Sequence, residues 1–386
     1  MNPGVRRLSL LLLLLLCLLA LPACALRGRG GPARPAAAET AAVTNEAPTA
    51  AATEAAPQAT ASSAPAATSA PTAGAPQPAA GGEPEIRPVQ FTTGRNDYSF
   101  RLEGVPRQVI VYVPAGYDPQ RPTPVVFMFH GSNQSGQLMF QSTQWTRKAD
   151  QENFIVVFPT SWKYRLVGED RLQDKWNVYN LYQIAEPGAE LKDDVQFTRT
   201  ILDTLEATFN VDPQRIYATG FSNGGVFVLT RLLIEMSDVF AAYAISGAGI
   251  WNTSQPNETQ IANLPASIDR PLYIIIGTND EIIADGTGSP LPLPIRPDEI
   301  TASPVFSDLI GNITTLLGLE QTPSVQVQPP SVILTFDKST AGGQNQWILR
   351  VAGMMAHVYP SGDNNRAGLD AADIFWDFFQ PYTLER

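Results

Sequence analysis

Cysteine and histidine are nearly missing from this chain: two of each occur in 386 residues. Both cysteines, Cys17 and Cys24, fall within the first 24 residues. The rest of the chain therefore has no thiol for a disulfide or for catalysis, and its stability must come from an ordinary core. The histidines, His130 and His357, stand far apart, so no usual zinc constellation is present. Gly224-Gly225 and Gly342-Gly343 do not extend into a Gly-x-Gly-x-x-Gly or phosphate-binding loop. The pattern calls for neither a metal nor a cofactor. A basic stripe is also lacking in a chain of formal charge −11, which excludes nucleic acid as the expected partner. No internal repeat interrupts the reading.

The two ends of the chain differ in kind. Residues 1–24 read as an export signal, with Arg6 and Arg7 ahead of an almost unbroken apolar stretch from Leu8 to Leu19. Leu21-Pro22-Ala23-Cys24 resembles a lipobox, the site where bacterial lipoproteins are cut and acylated on the cysteine. The apolar stretch is short of a ~20-residue membrane span, so the expected membrane contact is a lipid on Cys24 alone, with the protein secreted or held at the cell surface. Residues 25–84 are dominated by Ala, Pro, Thr, Ser and Gly, and Val43 is the only β-branched aliphatic residue between Pro35 and Ala80. Such a segment cannot bury enough apolar area to offset its chain entropy and is expected to be a disordered linker. A flexible tether of ~60 residues spans roughly 40 to 45 Å on average, a reach that suits a polymeric substrate. Residues 85–386 are long enough for one large core.

Within that part, residues 98–103 and 107–113 alternate as an antiparallel pair of half-exposed strands does. Residues 124–130 and 154–159 are continuous apolar runs, expected of parallel strands buried on both faces. A helix is expected between them at 139–151. Residues 191–209 place Val195, Thr198, Ile201, Leu202, Leu205 and Phe209 on one stripe, the mark of an amphipathic helix. Strands at 215–219, 240–246, 272–277 and 347–351, with helices at 226–236 and 370–379, complete an alternation that predicts an α/β layered fold: a mostly parallel sheet with helices on both faces. The Pro-rich segment 285–330, irregular apart from a helix at 305–317, is expected to be a cap or lid insertion.

Gly220-Phe221-Ser222-Asn223-Gly224 follows the strand at 215–219 and precedes the helix at 226–236. Strand, Gly-x-Ser-x-Gly turn and helix describe a nucleophile elbow, in which a strained bend projects the serine hydroxyl from the sheet edge. Ser222 is the candidate nucleophile. It needs a base, and the base needs a third group to hold its tautomer. In α/β hydrolases the chain order is serine, acid, histidine, and only His357 follows Ser222. Seven aspartates lie between the two. Asp280 leaves the carboxyl end of the apolar run 272–277, where sites form in open α/β sheets; Asp285 is its nearest competitor, and Glu281 is expected to point elsewhere. The amides of Asn223 and of Ser132, in the turn after His130, are candidate oxyanion donors. His130 itself is expected to support that turn. Asp193-Asp194 is expected to interact with the dipole of the helix it begins. Trp162 and Trp251 fall in expected loops, whereas Trp376 is expected in the core.

These residues resemble the polyhydroxybutyrate depolymerase-like and feruloyl esterase-like family of secreted serine esterases. The likeness lies in the His130-Gly131 turn, Asp193-Asp194-Val195-Gln196-Phe197, the stretch from Val211 to Gly225, Gly277-Thr278-Asn279-Asp280 and Ile374-Phe375-Trp376-Asp377-Phe378-Phe379. It implies the α/β-hydrolase fold, a triad of Ser222, Asp280 and His357, and hydrolysis of a carboxylic ester without a metal. Trp176-Asn177 resembles the family's Trp-Asn segment and is expected to line the site. Ser132 stands where the family often has cysteine. Met354-Met355-Ala356 replaces a glycine-rich approach to the histidine, so Met355 is expected to shape the substrate pocket. A hydroxyalkanoate polyester is the expected substrate; feruloyl or acetyl esters on plant polysaccharide are the first alternative, and a catalytically idle surface-binding lipoprotein is the second.

Overall fold

The structure is a computed structural model, and it describes residues 90–250, 268–340 and 345–384. The export signal, the lipobox cysteine Cys24, the linker and Trp251 lie outside the described residues. Among the described residues no helix is long and apolar enough to cross a membrane.

The chain opens with the expected antiparallel pair, β1 (Gly94–Leu102) and β2 (Val105–Val113). β1 alternates between exposed and half-buried positions as an outer strand with one solvated face must. Six parallel strands follow in the middle of a ten-stranded sheet: β3 (Thr123–Phe129), β4 (Ile155–Pro159), β7 (Val211–Phe221), β8 (Ala242–Ser246), β9 (Leu272–Asn279) and β12 (Trp347–Ala356). Their order in space is β1-β2-β4-β3-β7-β8-β9-β12, followed by two outer strands, β11 (Ser331–Phe336) and β10 (Ser324–Gln328). Every residue of β3, β4 and β8 is buried, because helices cover both faces of the sheet. Side chains alternate between those faces. Val125, Phe127 and Phe129 enter one core, and Val126 and Met128 the other.

The first core is covered by α4 (Asp194–Thr208), by the helix that starts at α5 (Asn223–Phe227), and by α9 (Pro304–Leu317). The second is covered by α1 (Gly136–Ser142), α2 (Trp145–Glu152) and α10 (Ala371–Phe379). This topology is the α/β-hydrolase fold. Beyond it, β12 is extended on its outer side by an antiparallel hairpin of β10 (Ser324–Gln328) and β11 (Ser331–Phe336).

Three of the expected elements take a different form from the sequence reading. The helix expected at 139–151 is two, because Gln144 takes a left-handed conformation (φ 62°) and the Thr143 hydroxyl donates to the Met139 carbonyl. The break lets Trp145 sink into the core, where its Nε1 donates to the Tyr359 hydroxyl at 2.7 Å. The helix after the elbow passes through a π turn (Val228–Leu232) before α6 (Leu233–Glu235). Finally, α9 is not a lid. Its Val305, Phe306, Leu309, Ile313 and Leu317 pack into the same core as β9 and β11, so the segment expected to cap the site is built into the body of the fold. Between β9 and α9 lie two further helices, α7 (Glu281–Thr287) and α8 (Pro297–Ala302).

Candidate active site

The strand-to-helix turn at residues 220–224 is held by close backbone contact. A Cβ on Gly220 would meet the Gly224 carbonyl oxygen at 2.5 Å, and one on Gly224 would meet the Phe129 and His130 carbonyl oxygens at 2.4 Å. Ser222 takes φ 50°, ψ −122°, a strained conformation for a residue with a side chain. Its amide donates to the Ser246 carbonyl at 3.0 Å, which pins the bend to β8.

The other two members of the expected triad come from neighbouring strands. β9 ends at Asn279, and Asp280 caps α7 by accepting from the Ile283 amide at 3.0 Å. β12 pairs with β9 in parallel until the register slips between Ala352 and Ala356. Two extra residues bulge out there, with Met354 at φ 61° and its amide donating to Thr278 Oγ1. After the bulge Ala356 lies opposite Asn279, so the next residue on each strand, His357 and Asp280, come level. Asp280 is buried, and both of its carboxylate oxygens lie 2.9 Å from His357 Nδ1. His357 Nε2 lies 2.9 Å from Ser222 Oγ. A carboxylate can only accept from Nδ1, so that nitrogen carries the proton and Nε2 is free to accept. The imidazole packs on the Phe221 ring and over Gly247, where a Cβ would stand 3.1 Å from its Cε1. Asp285 is exposed on α7 and takes no part. Glu281, expected to point away, has Oε2 3.4 Å from the His357 amide, because the start of α7 turns it back over the loop.

Ser132 and Asn223 line one cleft with Ser222. Asn223 is the first residue of α5, so its N–H has no acceptor within the helix. The turn that carries Ser132 is braced from two sides. His130 is fully buried, with Nδ1 2.7 Å from the Gly131 carbonyl and Nε2 accepting from the Ser161 amide; burial pulls its pKa down to about 4. On the other side runs β6 (Leu172–Lys175), the partner of β5 (Trp162–Arg165) in a small separate hairpin. The Asn133 amide donates to the Asp174 carbonyl at 3.0 Å, and Lys175 Nζ donates to Ser132 Oγ at 2.8 Å.

The residues expected to contact substrate are placed differently. Trp176 is fully buried: its Nε1 donates to the His130 carbonyl and its amide to Asn223 Oδ1. It props the Ser132 turn and the elbow from beneath and does not line the cleft. Asn177 spends its groups on the scaffold, donating from its amide to Asp194 Oδ2 and from Nδ2 to the Lys192 carbonyl. Met355 is buried in the bulge, and its neighbour Met354 is the exposed one. Asp194 does more than meet a helix dipole, since it is wholly buried and paired with Arg107; Asp193 caps α4. Trp162 is half-buried against the first core, and Trp376 stacks on Phe154 within the second. The cleft wall is instead aliphatic, formed by Leu181 and Ile184 of the short helix α3 (Leu181–Ile184) with Val226, Ala248, Ile282 and Ile283. Sequence reasoning missed Ile282 and Ile283 because the helix after Asp280 was unforeseen, and Lys175 because its strand is short and half-exposed. Among the described residues no group of three or more His, Cys, Asp or Glu could hold a metal ion.

The family model described as "Putative esterase" matches residues 101–363. The chain belongs to this esterase family. A bifunctional acetylxylan esterase/xylanase from Neocallimastix patriciarum is 27% identical over 189 residues, which cover 49% of this chain and 23% of that protein. Feruloyl esterase B from Piromyces equi is 31% identical over 140 residues, 36% of this chain and 24% of the relative. Poly(3-hydroxyalkanoate) depolymerase C from Paucimonas lemoignei is 23% identical over 165 residues, 42% of this chain and 36% of the relative. The chain thus spans between about a quarter and about a third of the length of these relatives.

Proposed function

We propose that this esterase-family chain hydrolyses carboxylic esters through an acyl-enzyme on Ser222. The observation that carries the reading is the unbroken chain of contacts from Ser222 Oγ through His357 to Asp280, with 2.9 Å at each step. His357 Nε2 takes the serine proton as Oγ adds to the ester carbonyl, and returns it to the departing alcohol. Water then enters and gives a proton to the same nitrogen as its oxygen bonds to the acyl carbon, and that nitrogen passes the proton to Ser222 Oγ as the acid leaves. Asp280 keeps the imidazole proton on Nδ1 and stabilises the imidazolium. The Ser132 and Asn223 amides receive the charge that develops on the carbonyl oxygen, where losing one donor costs roughly 10² to 10³ in rate.

An aliphatic cleft suits an aliphatic ester, and among the three relatives that favours the hydroxyalkanoate polyester of the depolymerase over an aromatic feruloyl group. Export and a lipid anchor at Cys24 belong to the same reading and rest on residues 1–24 alone. The deciding experiment compares p-nitrophenyl acetate hydrolysis by the full chain and by Ser222→Ala. The variant is expected to lose at least ~10⁴ in kcat, whereas equal rates remove Ser222 from the mechanism. A panel of a hydroxybutyrate oligomer, methyl ferulate and acetylated xylan then ranks the substrates.

A further inference from the structure

The cleft beside Ser222 carries a charge that ester hydrolysis does not require. Among the described residues that line it, Lys175 is the one with a charged side chain; the others are aliphatic, glycine or neutral polar residues. In a chain of formal charge −11 this is a local reversal of sign. Lys175 is half-buried, and its Nζ has Ser132 Oγ at 2.8 Å as its hydrogen-bond partner. No carboxylate of the described residues forms an ion pair with it. A neutral hydroxyl cannot balance a cation, and among the described residues no other acceptor is bonded to the remaining two ammonium protons. Burial pushes the pKa of the ammonium below the ordinary lysine value, and Glu169 opposes that shift through space. A partly desolvated cation of this kind gains from an anion brought to it.

Its position sets which anion can arrive. The Ser132 amide is the proposed oxyanion donor, and the ammonium touches the side chain of that same residue. A carboxylate a few bonds from the scissile carbonyl can therefore reach it while the carbonyl sits at Ser222. We propose that Lys175 is a specificity-determining residue that takes a carboxylate carried by the ester substrate, so that the site favours acid-bearing esters over neutral ones of the same shape. The assignment rests on the serine-esterase reading and narrows its substrate class. Two sources share the chemistry: a monoester of a dicarboxylic acid carries the charge on the acyl side, and the acid end of a hydroxyalkanoate oligomer carries it on the alcohol side.

The test measures kcat/KM of the full chain on two matched pairs, monomethyl glutarate against methyl valerate and 3-acetoxybutyrate against sec-butyl acetate. At least one pair is expected to favour the charged ester by on the order of tenfold at low salt, and the ratio should fall as salt screens the contact. Lys175→Gln can still donate to Ser132 Oγ and so spares a purely structural role, yet it should bring the ratio to that of a neutral cleft. Lys175→Arg should keep the preference. The pair that responds tells which side of the ester bears the acid. Ratios that are equal in wild type and Lys175→Gln, or insensitive to salt, overturn the assignment. If Lys175→Gln loses all turnover, the wild-type ratio and its salt dependence decide. Turnover of the neutral esters by wild type but not by Ser222→Ala would, in either event, leave the esterase reading standing.

Discussion

Each ring nitrogen of a buried histidine needs a partner, and the two histidines here meet that need to opposite ends. His357 has a carboxylate on one nitrogen and a hydroxyl on the other. His130 has a backbone N–H pointing at Nε2, so its single proton sits on Nδ1 and is given to the Gly131 carbonyl. A second proton would face the Ser161 amide in a dry interior, which is why burial holds the pKa to about 4. The unfolded chain binds that proton with a pKa of ~6.5. Between the two values the unfolded state holds more protons, so the neutral histidine contributes stability that is complete above ~6.5 and is lost as pH falls towards about 4. The loss amounts to about 3 kcal/mol. Urea denaturation of wild type and His130→Gln across that window checks it. The stability advantage of wild type should shrink by about that amount on acidification, and a constant difference would mean that His130 is not the titrating group.

At the level of elements, one aspartate serves two masters: Asp280 Oδ1 receives the first turn of α7 and also faces His357. The two roles separate by substitution. Asn caps a helix about as well as Asp, whereas Ala costs ~1 kcal/mol. Asp280→Asn should therefore unfold within about 0.5 kcal/mol of wild type, and Asp280→Ala should be weaker by ~1 kcal/mol. Both should lose on the order of 10⁴ in kcat, because neither the Asn amide nor the Ala methyl holds the proton on Nδ1 as the carboxylate does. Wild-type kcat in the Asn variant would take Asp280 out of the mechanism. The same residue shows what the sequence can disclose. Asp280 was visible as the residue leaving an apolar strand, since β9 is buried along nearly its whole length and reads as such. The cap was not visible, because α7 offers only Ile283 and Ala284 to the core. β10 was missed although Ser324-Val325-Gln326-Val327-Gln328 alternates, because it lies in the Pro-rich stretch 285–330 that reads as irregular. α9 was found as a helix but misplaced as a lid, since its apolar stripe does not say which surface it covers.

Across the whole molecule, the chain order of serine, acid and histidine could be read ahead of the structure, while the groups that prop the site could not. A buried pair separated by 87 residues has no local signature. Arg107 on β2 pairs with Asp194 at the start of α4, and its guanidinium lies 3.7 Å from the centre of the Phe197 ring. Asp194 also accepts from the Asn177 amide, next to the Trp176 that supports both the Ser132 turn and the elbow. The outer strand pair, the first-core helix and the segment that props the Ser132 turn thus meet at one carboxylate. Burial alone raises the Asp194 pKa, and Arg107 is the main influence pulling it back. Arg107→Met keeps much of the volume over Phe197 but strands the carboxylate, a change that costs about 3 to 5 kcal/mol when one partner of a buried pair is removed. The variant has a second signature. Without Arg107 the folded state binds a proton on Asp194 at a pH where the unfolded chain has released it, so folding of the variant weakens as pH rises through that range. The deficit against wild type in urea melts should therefore be smallest in acid and grow towards neutrality. A deficit that is flat with pH would mean that Arg107 acts through packing on Phe197 and not through the charge of Asp194.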